Sequence, residues 1–260
     1  MSTLHPVDQS LLARCLENTF ERFRQAARAT DGRLLVEGDG LLLIAAEGLP
    51  WLTIAAMTRM PPDPMATLRR AQAFFAERGL AWGLTAAGDV AEAVAPAAEA
   101  VGLTPGEHMP GMLLAPLVGE VPVVPGLTIR EVRDAADLDT FNATSGDGFG
   151  GGEHLYRLLY QPQMLDRPGS TLYLGYLDGE PVATALRITG HGIAGIGGVS
   201  TIPAARRRGI GEAITRHAAL DGLADGCRAS FLQATAMGFD LYQRMGYRHV
   251  IDFHTWEPRA

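Results

Sequence analysis

The sequence predicts an α/β fold made of two copies of one module joined by a short linker. Two observations carry this. Apolar runs in residues 127–260 follow the order three strands, helix, strand, helix, strand, and residues 1–118 show the same order. The ends of the copies also correspond. Ala98-Glu99-Ala100-Val101-Gly102-Leu103 stands where Tyr242-Gln243-Arg244-Met245-Gly246-Tyr247 stands, each reading as a helix stopped by glycine and followed by a strand. The assignment is therefore 1–118 for the first copy, 119–126 for a linker rich in proline and glycine, and 127–260 for the second copy.

Taken in order, Leu11 to Ala29 carries apolar residues at helical spacing. Arg33–Val36 and Leu41–Ala46 flank Gly38-Asp39-Gly40, a hairpin signal, and Trp51–Met57 reads as a third strand. Pro61-Pro62-Asp63-Pro64 is a stiff break, with Asp63 as cap and Pro64 at the first position of a helix over Met65–Arg78. Ala81–Thr85 is a strand, Val90–Val101 an alanine-rich helix, and His108–Leu117 a last strand. In the second copy, Leu127–Val132 is a strand, and Asp134 or Ala135 opens a helix. Gly146-Asp147-Gly148-Phe149-Gly150-Gly151-Gly152 reads as a loop too glycine-rich to be regular, and it lacks the Gly-Lys-Ser/Thr ending of a nucleotide-binding loop. A helix follows around His154–Tyr160. Strands over Thr171–Leu177, Pro181–Ile188 and His191–Ser200 come next, then a helix to about Leu223, a strand over Ser230–Ala234, a helix over Phe239–Met245 and a strand over His249–Trp256.

One junction stands out. Val199-Ser200-Thr201-Ile202-Pro203-Ala204-Ala205-Arg206-Arg207-Arg208-Gly209-Ile210-Gly211 runs on into Glu212 as a strand end, a basic loop and a helix start. Such a junction aims backbone N–H groups and the positive end of a helix dipole at one place, which suits a phosphate or pyrophosphate. Gly209 and Gly211 let backbone approach the anion, and three arginines add charge. At the matching place the first copy has Arg59–Pro64, whose prolines remove the N–H donors an anion needs.

Composition excludes several classes. No apolar run is long enough to span a bilayer, and no basic segment followed by an apolar core opens the chain, so no membrane partner and no secretory signal are expected. Two cysteines, Cys15 and Cys227, are too few for a disulfide framework and have no metal-ligand spacing. A cytoplasmic protein with free thiols and no metal follows. The net charge of −7 argues against nucleic acid. Gly195-x-Gly197 lacks the third glycine and acidic partner of a dinucleotide fold.

The junction resembles the acyl-CoA-binding motif of the GNAT superfamily of N-acetyltransferases, with its apolar strand end, Pro203 and Arg-x-x-Gly-x-Gly. Leu241-Tyr242-Gln243-Arg244-Met245-Gly246-Tyr247 is similar to that family's second motif, about thirty residues further on. The resemblance covers roughly residues 126–258, and the first copy resembles a degenerate repeat, as in tandem members. It implies a mixed, mostly antiparallel twisted sheet flanked by helices, splayed between the fourth and fifth strands of the module. Acetyl-CoA, as acyl donor, would lie in that gap against Val199, Ser200 and Thr201. Its pyrophosphate would rest on N–H groups of Arg206, Arg207, Arg208, Gly209, Ile210, Gly211 and Glu212. Tyr242 matches the family's general acid, which protonates the leaving thiolate; a phenol of ordinary pKa about 10 is protonated at neutral pH.

The base is where the sequence departs. Histone-type members carry a glutamate at the position of Gly195. The run Gly195-Ile196-Gly197-Gly198 offers no such side chain and is expected to leave room for substrate or water. Asp147, Glu153 and His154 are substrate-side candidates, although such residues are more often surface or capping residues, and Glu153 in particular could simply begin a helix. Asp252 and His254 could face the acceptor channel, His191 reads as a solvated turn residue, and water could serve as base instead. Thr235 stands near an asparagine that other members use, and Cys227 reads as a small buried apolar residue. The implied activity is transfer of an acetyl group from acetyl-CoA to a primary amine of a small molecule or peptide by direct attack on the thioester. The alternative is a non-catalytic acyl-CoA-binding or protein-interaction module. The first copy would shape the acceptor cleft or supply a homodimer interface.

Overall fold

The structure, a computed structural model, describes residues 4–29, 34–38 and 40–259. Arg33 and Asp39 of the expected hairpin lie outside the described residues. Helix α1 (Gln9–Arg28) is capped by Asp8, whose side chain accepts from the Leu11 N–H at 3.0 Å. Strands β1 (Leu34–Gly38), β2 (Leu41–Ala45) and β3 (Ile54–Met57) follow. The expected third strand is shortened. Pro50–Leu52 forms a 3-10 turn, and Thr53 closes it by donating to the Ala46 carbonyl at 2.8 Å. Helix α2 (Pro64–Ala76) begins as read, with Pro64 at its first position and Asp63 accepting from the Ala66 N–H at 3.0 Å. Strand β4 (Gly83–Ala87), helix α3 (Gly88–Ala100) and strand β5 (Leu103–Leu114) complete this half. Strand β5 begins earlier than expected and contains Pro105 and Pro110. Over that stretch only one neighbouring strand pairs with it, so an unpaired edge tolerates the missing donors.

The second half opens with β6 (Leu127–Glu131), α4 (Ala135–Phe149) and α5 (Glu153–Leu159). The glycine-rich stretch is not a loop throughout. Helix α4 runs on through Phe149, and the turn is confined to Gly150, Gly151 and Gly152, all at positive φ. Gly146 and Gly148 lie in the helix because neighbours press against them. A Cβ on Gly146 would stand 2.6 Å from the Glu153 backbone nitrogen, so the missing side chain lets α5 start against α4. Then come β7 (Ser170–Leu177), β8 (Glu180–Gly190), β9 (Ile193–Thr201), α6 (Ile210–Asp221), β10 (Ala229–Gln233), α7 (Phe239–Arg244) and β11 (Arg248–Pro258).

The eleven strands among the described residues form one sheet, ordered β1-β2-β3-β4-β11-β5-β10-β9-β8-β7-β6. It is largely antiparallel, with one parallel pair in each half, β3/β4 and β9/β10. The two halves are interleaved at its centre. Strand β5 leaves its own half to pair with β10, Ser230 opposite Leu114, and β11 crosses back to pair with β4, Phe253 opposite Ala87. The exchanged strands pair with each other from Arg248–Leu113 to Pro258–Leu103. Apolar alternation marks which face of a strand is buried, not which strand lies beside it, so nothing local announced this exchange. On one face α6 packs over Ala183, Ala185, Ala194 and Ile196. On the other, Leu172, Leu174, Leu186 and Ile188 pack against Phe141 of α4 and Tyr160 after α5.

Candidate functional site

The sheet opens between β9 and β10. These parallel strands pair from Ile193–Ala229 to Ile196–Leu232 and no further, while β9 runs on to Thr201. A bulge accompanies the opening. Across from β9, Leu186 faces Gly197 and Thr184 faces Ser200, so Gly198 and Val199 together oppose Ala185. Gly198 takes a φ of 58°, which only glycine adopts freely. Hydroxyls brace the bulge. Thr184 Oγ1 donates to the Gly198 carbonyl at 2.9 Å, which leaves the buried Ser200 hydroxyl as donor to Thr184 Oγ1 at 2.8 Å. The result is a length of strand, Gly197–Thr201, whose side toward β10 is unpaired, as the sequence reading expected for a splay between the fourth and fifth strands of the module.

Beyond Thr201 the chain makes a 3-10 turn at Pro203–Ala205, takes Arg207 and Gly209 to φ of 63° and 79°, and enters α6. No side chain caps α6, and its first internal bond is Ala213 N–H to the Gly209 carbonyl at 3.0 Å. The N–H groups of Ile210, Gly211 and Glu212 therefore point out of the helix start with no intrahelical acceptor. The three arginines differ. Arg206 turns back onto the protein, its Nε donating to the Thr201 carbonyl at 3.0 Å and its Nη2 to the Gly148 carbonyl at 2.8 Å, while its own N–H reaches the Pro203 carbonyl at 3.3 Å. It ties α4 to the end of β9 rather than reaching outward. Arg207 and Arg208 are exposed. Glu212 sits in the first turn of α6, 4.0 Å from Arg216 one turn on. The equivalent start of α2 is closed by the Asp63 carboxylate, the anion the helix already has.

Tyr242 lies on α7 and is 8% exposed. Burial pushes its phenol up to about 12; the Thr215 hydroxyl works against this. Its ring meets that of Tyr247 edge-on at 5.9 Å. The phenol is thus a donor at any ordinary pH, held between α7 and α6. Thr235 forms the turn before α7, its Oγ1 accepting from the Gly238 N–H at 3.3 Å. Cys227 is fully buried, as is Cys15.

On the opposite face, the space expected at Gly195 and Gly197 is filled. Helix α1 lies across β8 and β9, and the Asn18 side chain occupies the position a Cβ on Gly195 would take. Asn18 Nδ2 donates to the carbonyls of Ile188 at 2.9 Å, Gly190 at 3.3 Å and Ile193 at 3.2 Å. One turn on, Arg22 Nη1 comes within 2.7 Å of where a Gly197 Cβ would stand, and Tyr160 Oη within 2.7 Å of the corresponding point at Gly198. Glycines inside a strand mark close approach by another element, and that was the signal available in the sequence. Beside Gly198, Arg22 and Tyr160 border a cavity of about 190 Å³, lined otherwise by Phe23, Trp51, Leu159 and further apolar groups.

None of the expected base candidates reaches this cavity. Asp147 and His154 are exposed, and Glu153 pairs with Arg157. His191 is an exposed turn residue with φ of 56°. Asp252 and His254 lie on β11, with β5 and β10 between them and β9. There Asp252 Oδ1 accepts from His249 at 2.6 Å and from His108 at 2.9 Å. Burial, and then neighbouring His108, hold the His254 imidazole below its ordinary pKa. Asn18, Arg22 and Tyr160 were not among the expected site residues; two of them come from the first half of the chain.

Comparison with known proteins agrees with this architecture. Residues 138–247 match the family model described as Acetyltransferase (GNAT) family. A GCN5-related N-acetyltransferase from Kribbella flavida superposes with a TM-score of 0.74 at 22% identity, covering 97% of each chain. A tandem GNAT protein from the clavulanic acid biosynthesis pathway gives 0.63 at 14% identity, over 93% of this chain and 94% of that one. A GCN5-related N-acetyltransferase from Sphaerobacter thermophilus gives 0.61 at 16%, over 99% and 96%. No curated protein sequence matches the chain. Among the described residues no helix is long and apolar enough to cross a membrane. Residues 138–247 thus match the GNAT acetyltransferase family, within a fold that the chain shares along nearly its whole length with solved GNAT proteins.

Proposed function

We propose that the chain transfers an acetyl group from acetyl-CoA to a primary amine of a small molecule or peptide, by direct attack of the amine on the thioester. The observation that carries this reading is the coincidence of an unpaired strand edge, Gly197–Thr201, with an uncapped helix start at Ile210–Glu212 inside a GNAT domain. The N–H groups of Ile210, Gly211 and Glu212 suit a pyrophosphate, and the unpaired edge of β9 offers backbone partners to the amides of a pantetheine arm. Acetyl-CoA supplies the activated thioester. Tyr242 keeps its proton far above neutral pH and is the donor assigned to the leaving thiolate. The place of a carboxylate base holds the neutral Asn18, already bonded to three carbonyls, so proton removal from the amine falls to water. The first half acts as structure. Its helix α1 covers the acceptor side, and its own helix start is closed by Asp63.

The test uses the full-length chain with acetyl-CoA, calorimetry for binding, and free-thiol detection over a panel of amines. Thiol release that falls at least tenfold in Tyr242→Phe supports the enzyme. Binding without release on any amine favours the non-catalytic acyl-CoA-binding module. Absence of acetyl-CoA binding overturns both.

A further inference from the structure

The acceptor-side cavity is not a plain apolar pocket. Its lining is aromatic and aliphatic except for the Arg22 guanidinium and the Tyr160 hydroxyl. Arg22 has one hydrogen-bond partner among the described residues, Oε1 of Gln233 at the end of β10. No carboxylate among them neutralises it; desolvation lowers its pKa, with only Tyr160 acting against that. Its neighbour on the helix differs in this respect: Arg24, two residues on, has Glu17, Glu21 and Glu37 around it. The Gln233 amide, turned to give its oxygen to Arg22, leaves its buried Nε2 without a partner among the described residues. Burial pushes the Tyr160 phenol up to about 12, so it too is a donor. Two donor groups, the Arg22 guanidinium and the Tyr160 hydroxyl, thus converge beside Gly197 and Gly198 with no anion among the described residues to receive them, and a partly desolvated cation without a counter-charge is costly unless a ligand supplies one.

We propose that this cavity takes an amino carboxylate, with Arg22 binding the carboxylate and the apolar wall holding an aromatic or branched aliphatic side chain. Three features fix that class. The guanidinium is forked and matches a carboxylate in a way it does not match a neutral or cationic group. The volume of the whole cavity, about 190 Å³, exceeds the roughly 150 Å³ that accepts a benzene-sized group. The guanidinium also lies against Gly197, one residue before the bulge at Gly198, so a carboxylate held by Arg22 would lie beside the unpaired edge of β9, as a compact amino acid requires. Trp51, 46% exposed, lies at the mouth and leaves a path from solvent. Polyamines and aminoglycosides, which are cationic, are disfavoured by Arg22. This assignment rests on the amine-acetylation reading, yet it concerns binding and can be tested without turnover.

The experiment compares shape-matched pairs on the full-length protein. Calorimetry measures 3-phenylpropionate and L-phenylalanine against phenethylamine, and L-leucine against isoamylamine, each with acetyl-CoA present and absent. Thiol release is measured on the amine-bearing compounds in parallel. The expected result is tighter binding of the carboxylate member by about 100-fold, because a site built to hydrogen-bond a group strongly rejects the analogue lacking it. Arg22→Gln should bring that ratio within about threefold, and Arg22→Lys should restore part of it; circular dichroism checks that each variant is folded. Should Arg22→Gln not fold, the wild-type ratios alone decide. Equal or tighter binding of the decarboxylated member, or a ratio unchanged in a folded Arg22→Gln, overturns the proposal. Carboxylate binding that depends on Arg22 but yields no thiol from any amine keeps the site and discards acetyl transfer. Thiol release from cationic amines with no preference for a carboxylate does the reverse.

Discussion

Asn18 stands where a side chain on Gly195 would be, and its amide ties α1 to the Ile188, Gly190 and Ile193 carbonyls at 2.9, 3.3 and 3.2 Å. The glycine of the second half and the asparagine of the first are two parts of one contact. Gly195→Ala must therefore push Asn18 out of its bonds, at a cost of about 1–3 kcal/mol by overpacking. Asn18→Ala leaves those carbonyls with one donor fewer and costs a similar amount. The double variant should lose clearly less than the sum, because Asn18→Ala removes the amide that the new methyl group of Gly195→Ala would strike. Urea denaturation of the four proteins measures this; simple additivity would show that the two sites do not touch.

The two halves differ at their helix starts, Asp63 closing one and nothing capping the other. Calorimetry should give one acetyl-CoA per chain. Asp63→Ala should lower stability by about 1 kcal/mol, the usual loss for a helix cap, and leave acetyl-CoA affinity within twofold. A second bound acetyl-CoA, in either protein, would contradict the structural role given to the first half.

Four buried tyrosines, Tyr160, Tyr173, Tyr242 and Tyr247, set the alkaline limit of the fold. Burial raises the phenols of Tyr160 and Tyr242 to about 12, and those of Tyr173 and Tyr247 higher still. Unfolded phenols ionise near pH 10. Below that pH these groups are neutral in both states and do not alter stability. Above it the unfolded chain loses protons that the folded chain keeps, so stability falls as pH rises from about 10 to 12, by up to about 1.4 kcal/mol per unit for each group. Absorbance at 295 nm followed with circular dichroism should show these phenols ionising in one step together with unfolding. Smooth ionisation near pH 10 with the fold retained would refute it.

Strand exchange makes each half depend on the other. With β5 between β10 and β11, a chain of residues 127–260 alone lacks a central strand of its sheet, and residues 1–118 alone leave β4 and β5 without β11. Each should show no cooperative thermal transition by itself. Mixed or co-expressed, they should recover one transition and acetyl-CoA binding. Independent cooperative unfolding of either piece would argue against the observed pairing.

The order of elements, the Asp63–Pro64 helix start and the glycine-led start of α6 at Ile210 were all legible in the residues alone. These features are local: a cap, a proline or an N–H cluster is set by residues a few positions apart. The continuation of α4 through Gly146 and Gly148 was not legible, because helix propensity disfavours glycine and only the packing of α5 and β9 makes those glycines useful. Two further matters lay wholly in the packing of distant segments. The exchange of β5 and β11 depends on which apolar edge meets which, and a strand's own alternation is satisfied by either neighbour. The acceptor side depends on Asn18 and Arg22 reaching strands some 170 residues away, where Gly195 and Gly197, which read as an empty floor, prove to be the footprint of another helix.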